Sequence, residues 1–360
     1  MGKSGAATLQ DVAKEAGVAV MTVSVVLNGA RSSTRVSDAT RARILDVAKR
    51  LRYRPNAVAR GLSRRRMDTI GVVATTDGED INLYFLELLN GILQGCTSSG
   101  QNTTVFSVTD WDLEQPRLLQ FCDGRVDGMI FISPFLGASF FEAFAQRSPF
   151  VTIHGPDTIS AIYNIDADDE GGGYAVTQHM ISFGHRRIAH FTGSLYDPSA
   201  RCRLAGYRRA LKDAGIPYEE SLVIKGGFLA ASGRRNMERL ISQTKVEDLP
   251  TAIFCASDAI ASGCMEALAA HNLRIPDDIS IAGFDDLLLA KMTTPPITTI
   301  RQPFRKMGAR AVELLLHQIR QGQQPDEAEP SEGENETSQP RTETFDVDLV
   351  VRGSVGPSRR

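Results

Sequence analysis

The chain has 360 residues, of which 42% are hydrophobic and 23% are charged, and its formal net charge is -3. This composition is typical of a globular protein, and the length predicts two or three folding units. The longest apolar runs are too short to span a bilayer, and the polar N-terminus excludes a typical secretion signal. We therefore expect a cytoplasmic protein that does not enter a membrane.

The charge is unevenly distributed along the chain. Residues 1–66 contain fourteen Lys or Arg and four Asp or Glu, a balance of +10, so the remainder carries -13. A compact basic head on an acidic body predicts that only the head meets a polyanion.

The five cysteines are widely spaced and form no C-x-x-C pair. Their odd number and their position in apolar runs favour reduced, buried thiols over a metal site or a disulfide framework. No cofactor or metal is predicted.

Three short amphipathic helices are predicted in the head. The first begins after Thr8 as N-cap and ends at Gly17, the second spans about 20–27, and the third spans about 38–51 after Ser37 as N-cap. Two short helices joined by a tight turn and followed by a third are the plan of a helix-turn-helix. The apolar residues available for its core are Leu9, Val12, Ala13, Ala16, Val23, Val26, Leu27, Ile44, Leu45, Val47, Ala48 and Leu51.

A segment of about two turns, 56–63, follows Pro55 and contains Gly61. It is too short to be a stable isolated helix in water, so we expect it to be disordered unless other molecules support it. The alternative is a plain interdomain linker in which residues 64–66 are solvated charge.

From residue 67 onward, apolar strands alternate with helical stretches. The alternation predicts an α/β body with two doubly wound parallel sheets, whose ligand lies beyond the carboxyl ends of the strands. The predicted strands are Thr69–Ala74, Thr103–Val108, Gly128–Ile132, Phe150–Ile153, Arg187–Phe191, Ser221–Ile224, Thr251–Cys255 and Ile279–Ala282. The predicted helices are Leu83–Ser98, Gly172–Ser182, Arg203–Ala214, Gly233–Gln243, Ala259–Ala270 and Phe304–Gln321.

Residues 322–343 contain seven acids and one base, together with several Pro and Ser. The composition predicts a disordered insertion before the final strand. A solvated loop is favoured over a partner-binding element.

Several sequence strings resemble a known family. T-L-x-D-V-A-x-x-A-G-V-x-x-x-T-V-S-x-V-L-N-G, V-S-x-x-T-R-x-R-I and Y-R-P-N-A-V-A-R-x-L resemble the head of the LacI/GalR bacterial transcription regulators. A-R-x-R-L-x-G-Y, A-S-D-A-I-A-x-G and I-S-I-A-G-F-D-D resemble the family's effector domain, which is similar to periplasmic sugar-binding proteins. That domain has two lobes, three crossovers and a ligand between the lobes.

The resemblance implies a transcriptional repressor that binds a palindromic double-stranded operator as a homodimer. Its effector is expected to be a small molecule, a sugar or sugar derivative. The implied domains are a helix-turn-helix domain at 1–54, a hinge helix at 55–66, and an effector-binding and dimerisation domain at 67–355. The absence of an apolar heptad repeat at the C-terminus favours a dimer over a tetramer.

The resemblance also assigns roles in the head. Val20, Met21 and Val25 would contact base edges, and Leu62 would be the apolar wedge in the minor groove. The chain departs from the family by having Val25 where an Arg is usual and by a longer loop at 29–35. Phosphate contacts are implied for Thr8, Thr22, Ser24, Asn28, Ser37 and Thr40, and further DNA contacts for Tyr53, Asn56 and Ala59.

In the body, the resemblance implies that Arg203 makes bidentate hydrogen bonds to the effector and that Asp285 accepts from it. Phe228 would supply a stacking face, and Ser257 stands where the family usually has Asn. The alternatives are a surface Arg at a helix start for Arg203, a turn or cap residue for Asp285, and a core residue for Phe228. His154 follows a strand and either lines the cleft or is structural.

Two other classes of protein are alternatives to a repressor. The solute receptor of a transporter would share the body but would need an export signal and no basic head. A sugar-processing enzyme would need paired catalytic acids or a nucleotide site. Residues 171–173 are glycines without the Lys-Ser/Thr of a phosphate loop, and neither H-E-x-x-H nor G-x-S-x-G occurs. An enzyme is therefore not expected.

Overall fold

The computed structural model of the chain describes residues 7–28, 35–56, 60–61, 64, 66–75, 82–156, 163–322 and 341–358. The chain divides into two compact units. One comprises Met1–Thr69 with Phe121–Asp127, and the other comprises Ile70–Gln120 with Gly128–Arg360.

The described part of the head includes the helices α1 (Leu9–Ala16), α2 (Val20–Asn28) and α3 (Asp38–Arg50). Gly17 ends α1 in the left-handed conformation, with φ of 64°, as expected of a C-terminal glycine. Leu45 is 51% exposed on α3, so its assignment to the core is wrong. The buried core consists of Val12, Ala13, Ala16, Val23, Ile44, Val47 and Ala48.

The first lobe of the body, here called the N-lobe, is built on a six-stranded sheet of order β2-β1-β3-β4-β5-β11. Its described strand pairings β1–β3, β3–β4, β4–β5 and β5–β11 are parallel. The strands are β1 (Thr69–Thr75), β2 (Asn102–Val108), β3 (Gly128–Ile132), β4 (Phe150–Ile153), β5 (Tyr163–Ala167) and β11 (Arg341–Phe345). The helices are α4 (Leu83–Ser98), α5 (Trp111–Gln120), α6 (Ala138–Ala145) and α12 (Phe304–Gln321).

The helices that cover the N-lobe sheet form two kinds of buried cluster with it, one aliphatic and one aromatic. Helices α4 and α12 contribute aliphatic residues such as Leu88, Ile92 and Leu315 to one cluster with β1, β3, β4 and β5. A cluster of aromatic rings from α5, α6, β3 and β4 surrounds Phe131, whose centroid lies 5.1 Å from that of Phe144. Burial of these side chains supplies the main favourable free energy of folding.

The second lobe, here called the C-lobe, has a four-stranded parallel sheet of order β7-β6-β8-β9. Separate buried clusters accompany the α7–α8 and α9–α10 helix pairs. The strands are β6 (Ile188–Phe191), β7 (Val223–Ile224), β8 (Ala252–Cys255) and β9 (Ser280–Ala282). The helices are α7 (Asp169–Ser182), α8 (Pro198–Asp213), α9 (Ala230–Gln243), α10 (Asp258–Ala270) and α11 (Leu288–Met292).

Three crossovers join the lobes. The chain leaves the N-lobe after β5, returns after β9 through β10 (Thr299–Arg301), and leaves again after β11 through β12 (Asp348–Val350). β10 and β12 pair antiparallel, and the segment after β12 is fixed to the C-lobe because Ser354 Oγ donates to the Ile281 carbonyl at 2.6 Å. The two parallel sheets and three crossovers confirm the predicted α/β architecture.

Several element boundaries differ from the sequence prediction. The predicted strand Ser221–Ile224 begins with a 3-10 turn, Glu220–Leu222, and only Val223–Ile224 is extended. The predicted acidic insertion is too long at its C-terminal end, because residues 341–343 pair with β5 in the sheet. Its residues 323–340 lie outside the described part of the chain. Helices α5, α6 and α11 and strands β5 and β10 were not predicted, since they are short and α5 contains Pro116.

The five cysteines are free thiols, and Cys96, Cys255 and Cys264 are buried. None of the described helices is both long enough and apolar enough to cross a membrane.

Candidate functional site

Helix α2 presents apolar side chains to solvent. Val20 is 42% exposed and Met21 is 61% exposed, while Val23 is fully buried against the core of the head. Val25 is half-buried, as are Thr22, Ser24 and Asn28. Exposed apolar residues at the start of a second helix agree with the predicted role of α2 in contacting bases, because the residues are available to a groove.

The predicted phosphate-contacting residues Thr8, Ser37 and Thr40 also stabilise helix ends. Thr8 Oγ1 accepts from the backbone N–H of Asp11 at 3.3 Å, and the Asp11 carboxylate accepts from the Thr8 N–H at 2.9 Å. Ser37 Oγ accepts from the Thr40 N–H at 3.3 Å. Caps of this kind satisfy backbone donors that helices leave unpaired, so these hydroxyls act on stability whether or not they touch DNA.

Of the residues predicted to make further DNA contacts, Tyr53 is half-buried and Asn56 is exposed. The Asn56 carbonyl accepts from the Arg60 N–H at 3.1 Å, which is a helical spacing. Ala59 and Leu62 lie outside the described residues, as do residues 29–34 of the predicted long loop.

In the body, a buried charged cluster is centred on Arg203 of α8. Its Nε donates to Asp169 Oδ1 at 2.8 Å, its Nη1 donates to the Ala256 carbonyl, and the same Nη1 lies 3.8 Å from Asp285 Oδ1. Its guanidinium carbon lies 3.8 Å from the centroid of the Phe284 ring. Arg203 is only 4% exposed, so the alternative of a surface arginine at a helix start is wrong.

Close packing of α7 on α8 places Arg203 next to Asp169. A Cβ added to Gly173 would lie 2.4 Å from the Arg203 carbonyl oxygen, and one added to Gly206 would lie 2.1 Å from that of Glu170. Only glycine permits this approach, because both obstructing atoms belong to the backbone. The glycine run at 171–173 is thus the start of helix α7, in agreement with the sequence interpretation.

Asp285 lies three residues after the end of β9 and joins the cluster from the second crossover. Its Oδ1 accepts from Gln302 Nε2 at 2.7 Å, and its backbone has φ of 113°. This conformation is rare for a residue with a side chain and is typical of functional positions. Burial raises the pKa of Asp285 to about 7, although the Arg203 charge opposes the shift.

Two more buried carboxylates belong to the cluster. Asp197 caps helix α8 by accepting from the Ser199 N–H at 2.8 Å, and burial raises its pKa. Asp258 accepts from the Thr299 hydroxyl at 2.6 Å and from the Leu287 N–H at 2.8 Å. Its pKa is raised well above the usual value, first by burial and then by repulsion from Asp285.

The N-lobe contributes a neutral polar group to this region. Tyr84 Oη lies 2.5 Å from His154 Nδ1 and 2.8 Å from Ser133 Oγ. Burial lowers the pKa of His154 to about 4, so the imidazole is uncharged at neutral pH. His154 Nε2 and Gln302 Oε1 are both buried without a hydrogen-bond partner among the described atoms.

Phe228 and Ser257, the two remaining predicted effector residues, lie at the edge of the cluster. Phe228 is partly buried, and its ring centroid lies 6.0 Å from the Arg203 guanidinium carbon. Ser257 Oγ donates to the Phe228 carbonyl at 3.1 Å and accepts from the Ile260 N–H at 3.1 Å, which makes it the N-cap of α10. The Ser257 hydroxyl therefore makes both of these hydrogen bonds to backbone groups of the protein itself.

The structure thus brings Arg203, Asp285, Phe228 and Ser257 together at the carboxyl ends of the C-lobe strands. Sequence reasoning did not single out Tyr84, Asp169, Asp197, Asp258 or Gln302. Asp169 was visible as an acid before the glycine run. Among the described residues, no three His, Cys, Asp or Glu side chains are grouped so as to hold a metal ion.

Comparison with known proteins matches two parts of the chain to known families. Residues 8–56 match the family described as bacterial regulatory proteins, lacI family, and residues 177–355 match a periplasmic binding protein-like domain. The chain is 34% identical over 319 residues to the HTH-type transcriptional repressor PurR of Aliivibrio salmonicida. That match covers 87% of this chain and 92% of the relative.

Solved structures resemble the whole chain. A complex of the transcriptional regulator CelR with cellobiose is 30% identical, with a TM-score of 0.69, and the match covers 97% of this chain and 99% of that one. A lac repressor dimer bound to operator and the anti-inducer ONPF is 28% identical, with a TM-score of 0.81 and coverage of 98% and 100%.

Proposed function

The chain belongs to the LacI family of bacterial regulatory proteins and is a DNA-binding transcriptional repressor with a ligand-binding domain, and from this premise we propose how the two sites act. A sugar or sugar derivative binds between the lobes of the body and controls the affinity of the head for a palindromic operator. The relatives are named as repressors, which favours this function over a solute receptor or a sugar-processing enzyme.

The observation that supports the effector site is the buried Arg203 cluster. It joins Asp169, Asp285 and Gln302, which lie on or beside the crossovers between the lobes, with Arg203 of the C-lobe. A charged cluster is costly to bury, and its position beside the crossovers between the lobes favours a binding role over a purely structural one. The cellobiose complex of CelR supports a carbohydrate as the ligand class.

For the head, we propose that Val20, Met21 and Val25 contact base edges in the major groove. The hydroxyls of Thr8, Thr22, Ser24, Ser37 and Thr40, with Asn28, would contact phosphates and set the register without selecting a sequence. Tyr53, Asn56 and Ala59 would extend these contacts, and Leu62 would enter the minor groove from the hinge. A homodimer on a palindrome is supported by the operator-bound lac repressor dimer.

The experiment has two steps. An operator is first selected from a randomised duplex library with the purified full chain, and the affinity for it is then measured with and without cellobiose and related sugars. We expect the selected sites to be palindromic, and we expect one sugar to change operator affinity at least ~10-fold, which is the usual size of an allosteric coupling. Selection of non-palindromic sites would contradict the dimer proposal.

Two variants show where the ligand acts. Asp285→Asn should retain operator binding but lose the response to the sugar, whereas Lys212→Ala, an exposed residue on the same helix as Arg203, should retain both. A normal sugar response in Asp285→Asn would contradict the assignment of the cleft.

A further inference from the structure

The segment that leads from the hinge into β1 is held by Asp127, which lies in the sequence string R-V-D-G at 125–128. The backbone N–H of Asp127 donates to the Thr69 carbonyl at 2.8 Å, and Asp127 Oδ1 accepts from the Met67 N–H at 2.7 Å. Thr69 Oγ1 donates to the Met67 carbonyl at 3.0 Å. Asp127 belongs to the same compact unit as this segment, and its side chain is only 9% exposed. The chain is therefore already fixed at residue 67.

Asp127 is also continuous with the middle of a sheet. It directly precedes β3, and Thr69 is the first residue of β1. The register pairs Ile70 with Gly128, so these two interior strands begin side by side. Ile70 and Ile130 are fully buried. Buried interior strands are among the last parts of a protein to open, so the anchor starts from a rigid element.

Helical conformation reaches close to this anchor. Residues 60, 61 and 64 are helical, and the Arg66 N–H donates to the Gly61 carbonyl at 3.0 Å. This is the spacing of the longer hydrogen bond in a Schellman helix end. A Cβ added to Gly61 would overlap Met67 Sδ, so the Met67 side chain lies directly against the helical segment. Two neighbouring amides thus set the chain path, because Arg66 N–H binds the helical segment and Met67 N–H binds Asp127.

The anchor is assisted by charge. Arg66 Nε lies 3.9 Å from Asp127 Oδ2 and 3.9 Å from Asp68 Oδ1. The side chains of Arg66 and Asp68 are 28% and 44% exposed, and ion pairs of this kind add little to stability. A carboxylate that accepts from a backbone N–H makes a shorter and stronger hydrogen bond than a neutral acceptor does. The arrangement therefore favours a role for Asp127 in fixing the position of the segment.

We propose that Asp127 is the positioning residue of the hinge: it fixes the point, at the start of β3, from which residues 55–66 depart, and thereby sets the separation of half-sites that the dimer accepts in an operator. A dimer reads two half-sites at a fixed distance, so its two hinges must start from fixed points. Without the anchor, residues 66–68 would lengthen the free linker, and a longer linker tolerates more spacings at lower affinity. The inference rests on the proposed function, since it takes the chain as a dimer on a palindrome.

The test compares wild type with Asp127→Ala and with a charge-matched control, Asp123→Ala. Asp123 lies four residues earlier and pairs with Arg125 at the surface. Each full-length protein is titrated with the selected operator and with the same operator lengthened by one base pair at its centre. Wild type and Asp123→Ala should bind the lengthened operator at least ~10-fold more weakly than the selected one, whereas Asp127→Ala should distinguish the two by less than ~3-fold. Equal ratios in all three proteins overturn the proposal.

This ratio separates positioning from a general loss of stability, which would weaken binding to both duplexes and leave the ratio unchanged. Asp127→Asn keeps an oxygen that can accept from the Met67 N–H, so it should distinguish the two operators nearly as well as wild type. If Asp127→Asn were as permissive as Asp127→Ala, the assignment to this hydrogen bond would be wrong.

Hydrogen exchange of the Met67 amide, measured on the full chain without DNA, tests the anchor even if Asp127→Ala does not fold. In wild type we expect this amide to exchange at least ~10-fold more slowly than in the unfolded chain, because its N–H is bonded to a nearly buried carboxylate. Exchange at the rate of the unfolded chain overturns the proposal.

The proposal and the repressor function can fail separately. If wild type selects no palindromic operator, the dimer on a palindrome is contradicted, and the exchange of the Met67 amide still decides whether the anchor exists. If wild type selects a palindrome and Asp127→Ala keeps the same preference for its spacing, only the role of Asp127 is contradicted.

Discussion

The head and the body place their polar groups in opposite ways. The seven residues of the head's described buried core are all apolar, and those of its proposed DNA contacts that the structure describes are exposed or half-buried. The body instead buries four carboxylates and a guanidinium at the junction of its lobes. A surface that meets a polyanion can leave its charges in water until binding, whereas a site that encloses a small molecule must pair its charges in advance.

The largest expected effect comes from removing Arg203, the single buried Lys or Arg among the described residues of the body. Arg203→Ala leaves the carboxylates of Asp169 and Asp285 without their counter-charge, so we expect a loss of about 3–5 kcal/mol in the free energy of unfolding of the body. Urea denaturation followed by tyrosine and tryptophan fluorescence measures the change. Lys212→Ala should have almost no effect. If Arg203→Ala and Lys212→Ala were equally stable, the cluster would carry no net stabilisation.

A smaller effect should depend on pH. Because the pKa of Asp285 is raised to about 7 in the folded protein, the native state holds a proton there that the unfolded chain loses near pH 4. The stability from this proton is complete below pH 4 and is lost as the pH rises through 7. Asp285→Asn does not lose stability in this way, because the amide does not titrate. The variant should therefore gain on wild type by on the order of 2 kcal/mol between pH 4 and pH 8.

Urea unfolding of both proteins at pH 4, 5, 6, 7 and 8 tests this. The difference between the two proteins removes the opposite contribution of His154, whose lowered pKa makes stability rise with pH in the acidic range. A difference that does not vary with pH would mean that Asp285 is ionised throughout.

On the head, the side chains of α2 that are proposed to contact bases can be substituted. Val20, Met21 and Val25 have no side-chain donors, so they can pack against thymine methyl groups but cannot make bidentate bonds to guanine or adenine. We expect thymine-rich half-sites with weak discrimination and steep salt dependence. Val25→Arg should add a preference for guanine of about 1–3 kcal/mol at one position per half-site.

Selection from a randomised operator library, carried out in parallel on both proteins, measures this preference. If the parent protein already requires guanine at the position where Val25→Arg would add it, the proposed docking of α2 is wrong.

The smallest expected effect separates capping from DNA contact. Thr8→Ala removes the side-chain cap of α1 and should cost about 1 kcal/mol of head stability, while Thr8→Ser, which keeps the hydroxyl, should cost a few tenths. Thermal unfolding followed by circular dichroism at 222 nm measures both. A loss of operator affinity in Thr8→Ala that exceeds the loss of stability would identify a phosphate contact as well.

The contrast between the head and the body also explains which features could be predicted from the sequence. The helices of the head follow from local signals, namely the caps Thr8 and Ser37 and the terminal Gly17, and all three were predicted. Strand alternation likewise predicted both parallel sheets. Leu45 was assigned to the core because its position continues the apolar stripe of α3. The core of the head is too small to cover the whole stripe, so Leu45 is exposed.

The effector cluster could be predicted only in part, because residues from Tyr84 to Gln302 contribute to it. Arg203 and Asp285 lie in strings that resemble the family. Asp169 acquires its role only when Gly173 and Gly206 let α7 and α8 approach, and that approach is a property of the tertiary packing. Nothing in the sequence near His154 shows that it faces Gln302.

The crossovers also have a kinematic consequence. If one lobe rotates relative to the other, the crossover strands define the axis, and atoms move in proportion to their distance from it. Asp285 and Gln302 lie on the second crossover, and Asp169 lies at the first, so their mutual distances change least during such a rotation. The charged cluster would then persist in open and closed forms alike as the fixed pivot. The effector would distinguish the two forms through groups farther from the axis.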